Sequence, residues 1–158
     1  RIPPRHRSAA YMNLAFGKTP TKGGAWDTNP VGMVTLTNGD VITSMATAGQ
    51  NNDAAAVYLM LDLGAEYEIY NITIHSGDGG YKSAAANTGT LKLKTGTTSV
   101  LADATERDTQ TTVSAAYIPI TLGYEDNGIS ARYVFLELVG DATRIQYLKP
   151  AEIEVFGC

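Results

Sequence analysis

Three observations predict an all-β fold, a two-sheet antiparallel β-sandwich of jelly-roll topology. Segments of four to eight residues rich in Val, Ile, Leu, Tyr and Thr recur between clusters of Gly, Asn, Asp and Pro. Several alternate apolar and polar residues with period two, which buries one face of a strand and wets the other. No stretch sustains the 3.6-residue period of an amphipathic helix, so no helix beyond about two turns is expected. Roughly seven or eight short antiparallel strands hide one face each most readily as two packed sheets.

The first twelve residues, opening RIPPRHRS, combine positive charge and proline with no apolar run behind them. They read as a linker or tail, leaving residues 13–158 as the domain. Met33 to Leu36 is the first expected strand. In VYLMLDL, Val57, Leu59, Leu61 and Leu63 share one face, and the next run sets Tyr70, Ile72 and Ile74 together with His75 opposite. In TLKLKT, Leu91 and Leu93 point inward while Lys92 and Lys94 face water, the pattern of a sheet wet on one side. Ala102 to Ala116 is polar and Thr-rich, a solvated connection or an edge strand. Tyr117 to Leu122, Arg132 to Val139 and Ala151 to Phe156 complete the set, the last alternating Ile153 and Val155 with Glu152 and Glu154. Leu59, Leu61, Ile72, Leu93, Leu136 and Val155 are the expected core. Three connections, Gly17 to Gly32, Ala46 to Ala56 and Ser76 to Gly89, are too long for simple hairpin turns, and long loops on a rigid sandwich carry function.

Composition narrows the function. A chain of 158 residues suits one domain. Its one cysteine, Cys158, rules out an internal disulfide, a CxxC redox pair and a Cys-rich zinc site. Net charge is −4 with only 18% charged residues, and no basic stripe is present to displace counterions from nucleic acid. The longest apolar run, Val57 to Leu63, falls far short of the roughly 20 residues of a membrane span. Hydrolase, nucleotide and zinc-protease motifs such as GxSxG, GxGxxG, GxxxxGK[ST] and HExxH are missing, and His6 and His75 lie far apart. No enzyme activity is expected.

One loop is rich in oxygen. TLTNGDVITS, residues 35–44, gathers Asn38, Asp40, Thr43 and their carbonyls around Gly39. Calcium takes six to eight such oxygens, and glycine lets the backbone curl around an ion. Asn-Gly is equally the commonest two-residue hairpin turn, and taken alone the loop reads as that turn.

Five segments in order, NLAFGKTPT (13–21), LTNGDVITS (36–44), VYLMLDLGAEYEIYNITI (57–74), ARYVFLELVGD (131–141) and AEIEVFG (151–157), resemble the discoidin, or coagulation-factor type C, superfamily of galactose-binding-like domains. That superfamily includes family 32 carbohydrate-binding modules and fucose-binding lectins. The resemblance spans residues 13–157 and implies a jelly-roll sandwich that binds ligands through loops at one end, very often with a structural calcium ion. By position it implies a calcium site at Thr35, Asn38, Asp40, Thr43, Ala151 and Glu152. Asn38 stands where an Asp is usual, a neutral donor that lowers affinity, and Met45 replaces an aromatic. The His and two Arg of fucose-binding relatives fall near Asn52, Ser76 and Ala86, so the fucose signature is missing.

Sugars need an aromatic face for their C–H patch and amides, carboxylates or cations for their hydroxyls. The long loops and Asp141 to Lys149 offer Trp26, Asp27, Asn51, Asn52, His75, Tyr81, Lys82, Arg144 and Tyr147; the setting GGAWDTNP suggests an exposed Trp26. The expected function is a non-catalytic, lectin-like carbohydrate-binding module. It would work outside the cell or on a cell or virion surface, as part of a larger or multivalent protein, for targeting or adhesion. The alternative is a discoidin-type module for cell adhesion, membrane surface or protein binding. Membrane insertion fits poorly, since the loops lack both apolar neighbours and a basic belt. Asn71-Ile72-Thr73 is an N-glycosylation sequon.

Overall fold

A computed structural model describes residues 12–27, 29–42, 49–51, 56–76, 90–111, 121–139, 146–148 and 150–158. Nine strands run in chain order: β1 (Met12–Asn13), β2 (Thr21–Gly24), β3 (Gly49–Asn51), β4 (Ala56–His75), β5 (Thr90–Gly96), β6 (Thr105–Thr111), β7 (Thr121–Val139), β8 (Gln146–Leu148) and β9 (Glu152–Gly157). Every pairing among them is antiparallel. The described residues contain no α-helix, only short 3-10 turns at Met33–Thr37 and Leu101–Asp103.

The sandwich is built from two unusually long strands. β4 and β7 pair along almost their whole length, and each contributes to both layers. In the first layer, the early half of β4 lies between β2 and the late half of β7, followed by β5 and β6. In the second, the late half of β4 lies between β9 and the early half of β7, with β1 outside β9. The layers are therefore one continuous sheet folded over its own core. The fold happens at a corner where β4 advances from Asp62 to Tyr67 while β7 moves only from Tyr133 to Ala131. Gly64 makes this possible: its φ of 91° lies in the left-handed region that side chains disfavour, and its N–H donates to Asp62 Oδ1 at 2.8 Å.

Burial follows the alternation. Val57, Leu59, Leu61, Leu63, Ile72, Ile74, Leu91, Leu93, Leu136, Leu138, Ile153 and Val155 fill one contiguous core, which contains all six residues expected there. Burying each such side chain is worth about 1.5–3 kcal/mol relative to leaving it in water. Two expectations fail. Met33–Thr37 is a 3-10 turn, not a strand, because Gly32 enters it in the left-handed conformation and no neighbouring strand offers a ladder. Tyr70 does not share the face of Ile72 and Ile74: between Ile69 and Asn71 β4 advances two residues while β9 advances one, so Tyr70 is the bulged residue and Ile69 takes the core position. The Thr-rich segment does contain an edge strand, β6.

The pairing register decides where the loops emerge. His75 opposes Thr121 and Glu152, Ala56 opposes Val139, and Thr90 opposes both Val139 and Thr111. The ends of β4 and β7 thus meet at one end of the sandwich, the loop end. The corner residues 63–67, Ser130 to Arg132 and Gly157 lie at the other, the bend end.

Candidate functional site

Ala56, His75, Thr90, Thr111, Thr121 and Val139, the strand ends that flank the long connections, all lie at the loop end. One convergence is direct: β3 pairs with β8, with Gln50 opposite Tyr147 and Asn51 opposite Gln146. Backbone hydrogen bonds therefore set Asn51 and Tyr147 in adjacent rungs of a two-stranded ladder. Asn52, Tyr81, Lys82 and Arg144 lie outside the described residues.

Trp26 sits elsewhere than expected. It follows β2 on the edge of the first layer, half-buried and packed against the core, and its Nε1–H donates to the Gly23 carbonyl at 2.9 Å. A buried indole needs a partner for its one donor, and the glycine carbonyl supplies it. Trp26 is thus an anchor with a partly open ring, not the exposed platform its glycine-rich setting suggests. Asp27 beside it is exposed. His75 ends β4 in the second layer, where its Nε2 pairs with Glu154 Oε1 on the outer face. Glu154 is a partner the sequence reading missed; its register opposite Thr73 carried the signal, but only once β4 and β9 were aligned.

The oxygen-rich loop closes over the outer face of the second layer. Met33–Thr37 leads into Asn38-Gly39 as a 3-10 turn and not as a strand, which excludes the hairpin reading. Instead Asn38 Oδ1 accepts the Asp40 N–H and Asp40 Oδ1 accepts the Ile42 N–H, both at 2.9 Å, a pair of Asx turns. Thr35 Oγ1 donates to the Gly32 carbonyl at 2.8 Å. Gly39, at φ 89°, turns its N–H onto Glu152 Oε1 at 3.0 Å, joining positions 113 residues apart in sequence. Beneath the loop Ala151 is buried, with its N–H donated to the His75 carbonyl at 2.8 Å.

Glu152 is the anomaly here. It alternates with Ile153 and Val155 as a water-facing residue should, yet it is fully buried, because the loop covers it. Its Oε2 has no hydrogen-bond partner. Burial pushes its carboxyl up to about 7; the amides of Gly39 and Asn38 oppose the rise, while Glu154 and Asp40 add to it. A buried carboxylate oxygen without a donor costs a few kcal/mol unless it is protonated or meets a cation. The Gly39–Glu152 bond thus brings Asn38 and Asp40 near Ala151 and Glu152, while Thr35 Oγ1 is turned back onto the Gly32 carbonyl and Thr43 lies outside the described residues. Among the described residues no cluster of three or more His, Cys, Asp or Glu side chains is poised for a metal, so any cation here would rely on carbonyls and few carboxylates.

No protein-family model and no curated protein sequence matches the chain. Solved structures do. The chain is similar to a chitosan-binding module from a chitosanase/glucanase of Paenibacillus sp. IK-5, with a TM-score of 0.61 and 17% identity over 92% of this chain and 99% of that one. It is similar to a fucolectin from striped bass (Morone saxatilis) serum, with a TM-score of 0.64 and 18% identity over 94% of this chain and half of that one. It is similar to a family 32 carbohydrate-binding module, CpGH89CBM32-6, produced by Clostridium perfringens, with a TM-score of 0.60 and 15% identity over 93% of this chain and all of that one. At such identities the likeness is one of fold: the chain shares an antiparallel β-sandwich with these carbohydrate-binding modules and this lectin.

Proposed function

We propose that the domain is a non-catalytic carbohydrate-binding module that takes a glycan at its loop end. The observation that carries this reading is the convergence of both ends of β4 and β7 at one end of the sandwich, with Asn51 and Tyr147 on successive rungs of the β3–β8 ladder. The similar structures add support: one is described as chitosan-binding, another as a fucolectin. Asn51, Asn52, Tyr81, Lys82, Arg144 and Tyr147 supply amides, cations and aromatic rings. Trp26 and Asp27 from the first layer and His75 from the second belong to the same proposed set. A shallow sugar site buries little area and orders its loops, so dissociation constants near the millimolar range are expected, about −4 to −6 kcal/mol per site. Targeting or adhesion outside the cell, as part of a larger or multivalent protein, would then gain avidity from effective concentration.

A structural calcium ion belongs to the same proposal. The orphaned Glu152 oxygen, buried beneath a loop of carbonyls and Asx oxygens, fits a hard cation. Glu152 and Asp40 would supply charge, and Thr35, Asn38 and Ala151 neutral oxygens, with Thr43 completing the set. Bound there, calcium would tie the loop to the last strand and hold the loop end in shape.

A glycan array on the domain, followed by calorimetry on the best ligand, tests the function. Binding weakened at least tenfold by Tyr147→Ala is the expected result; no heat with any glycan at millimolar concentration would overturn it. One observation favours a second reading, docking on a protein or membrane surface. Phe16, Val31 and Val34 beside the oxygen-rich loop in sequence or contact, and Ile42 within it, are between 51% and 70% exposed, apolar surface of the kind that interaction sites use. Liposome or protein binding without any glycan binding would establish it instead.

A further inference from the structure

The Asn71-Ile72-Thr73 sequon lies on neither the loop end nor the oxygen-rich loop. Ile72 is fully buried, so the alternation of β4 turns Asn71 and Thr73 to the outer face of the second layer. The bulge at Tyr70 immediately precedes Asn71, and bulges re-aim the side chains beside them. Asn71 Nδ2 donates to Glu125 Oε1 at 3.2 Å, and Asn71 Oδ1 accepts from Thr73 Oγ1 at 3.1 Å. Across the strands Asn71 has two register partners, Glu125 on β7 and Phe156 on β9. Directly opposed side chains stand about 4.5–5.5 Å apart at Cβ, and the Phe156 ring is only half-buried.

We propose that Asn71 is an acceptor for an N-linked glycan and that its first sugar rests on Phe156. The donor is an oligosaccharide held as a lipid diphosphate in a eukaryotic secretory route. Asn71 Nδ2 forms the new bond to C1 of the first N-acetylglucosamine and loses one proton. The C1–O bond breaks, and its electron pair leaves with the diphosphate. The modified amide keeps one N–H for Glu125 and its carbonyl for Thr73, so the modification strands no polar group. The sugar ring projects from a face that already presents an apolar ring to its C–H patch. Asn71 lies four steps before His75, the end of β4, about 13 Å along the strand, so the attachment point stands clear of the loop end. The proposal is independent of the ligand reading.

Secretion of the full chain behind a cleavable leader from a eukaryotic cell line tests it. Peptide mass spectrometry should find a glycan on the Asn71 peptide in wild type and in Thr73→Ser, and none in Asn71→Gln or Thr73→Ala. Secreted wild type with Asn71 unmodified would overturn the proposal. Trimming the glycan to its first sugar, and then removing that sugar, tests the stacking: the second step should lower the melting temperature of wild type but not of Phe156→Ala. Equal losses in both proteins would overturn the contact with Phe156.

Discussion

The two ends of the sandwich treat polar groups in opposite ways. At the bend end they are matched in place. Arg132 donates to both oxygens of Asp62, at 2.8 and 2.9 Å, and that hydrogen-bonded pairing holds the Asp62 carboxyl below its ordinary range. Ser130 donates to Glu66, and Glu68 and Cys158 exchange backbone hydrogen bonds at 2.9 and 3.0 Å. These groups sit near water, where a lost partner is replaced at little cost. At the loop end a carboxylate is fully buried with one oxygen lacking a hydrogen-bond partner from the protein. A fold can tolerate such a group when a ligand completes it. The bend end closes the sheet with its polar groups paired, and the loop end is where we propose that a ligand completes an unpaired one.

The largest effect should come from the core that both ends share. Leu61→Ala, in a fully buried position, should cost about 2–5 kcal/mol. Loss of Trp26 fluorescence and of β-sheet circular dichroism should then coincide on heating; separate transitions would mean that the two layers are not one unit. Next comes the metal. Calcium at about 100 times its dissociation constant should add about 2.7 kcal/mol, or very roughly 5–10 °C in melting temperature, and Glu152→Ala should abolish the gain. A chelator that leaves wild type and variant melting alike would remove the cation from the loop end.

A third effect is a pH dependence specific to the metal-free protein. The folded carboxyl of Glu152 lies at about 7, above its ordinary value of 4.5. Folding therefore favours the protonated form. The stability this contributes is complete below about pH 4.5 and is lost as pH rises through 7, by an amount on the order of 3 kcal/mol. Glu152→Gln should flatten that slope, which urea titrations at several pH values would show. The smallest effect belongs to the bend end. Arg132→Ala removes a half-exposed pair and should cost no more than about 1 kcal/mol, with glycan and calcium binding unchanged. A larger loss would mean that the corner, not only the core, holds the layers together.

Where one face of a strand is buried, the sequence displays it. Leu59, Leu61, Leu91 and Leu93 were legible because alternation is what a half-wet sheet requires. Register was harder to read. EIYNITI supports two overlapping phases, one through Ile69 and one through Tyr70 and Ile72, and only pairing with β9 shows that both hold on either side of a bulge. Gly64-Ala65-Glu66 looks like a turn between two strands; it is a corner within one, because β7 runs past it without stopping. The burial of Glu152 was invisible to alternation, since its cover comes from residues more than a hundred positions away. Family resemblance picked out the oxygen-rich loop that the residues alone read as a hairpin. It could not choose the sugar-contacting side chains, which sit on connections whose length and composition the core does not constrain.

The antiparallel meeting of β1 and β9 has a mechanical consequence. Met12 opposes Gly157 and Asn13 opposes Phe156, so both strands leave the sandwich side by side at the bend end. A force applied through Met12 and Gly157 pulls along the hydrogen bonds at the open end of the pair, and loads one rung at a time. β1 should peel like a zipper at low force until the Leu14 N–H to Val155 carbonyl bond and the buried Leu14 and Ala15 resist. The long β4–β7 ladder would bear little tension until then. A tethered copy would thus yield first at its attachment point, far from the end that we assign to the ligand.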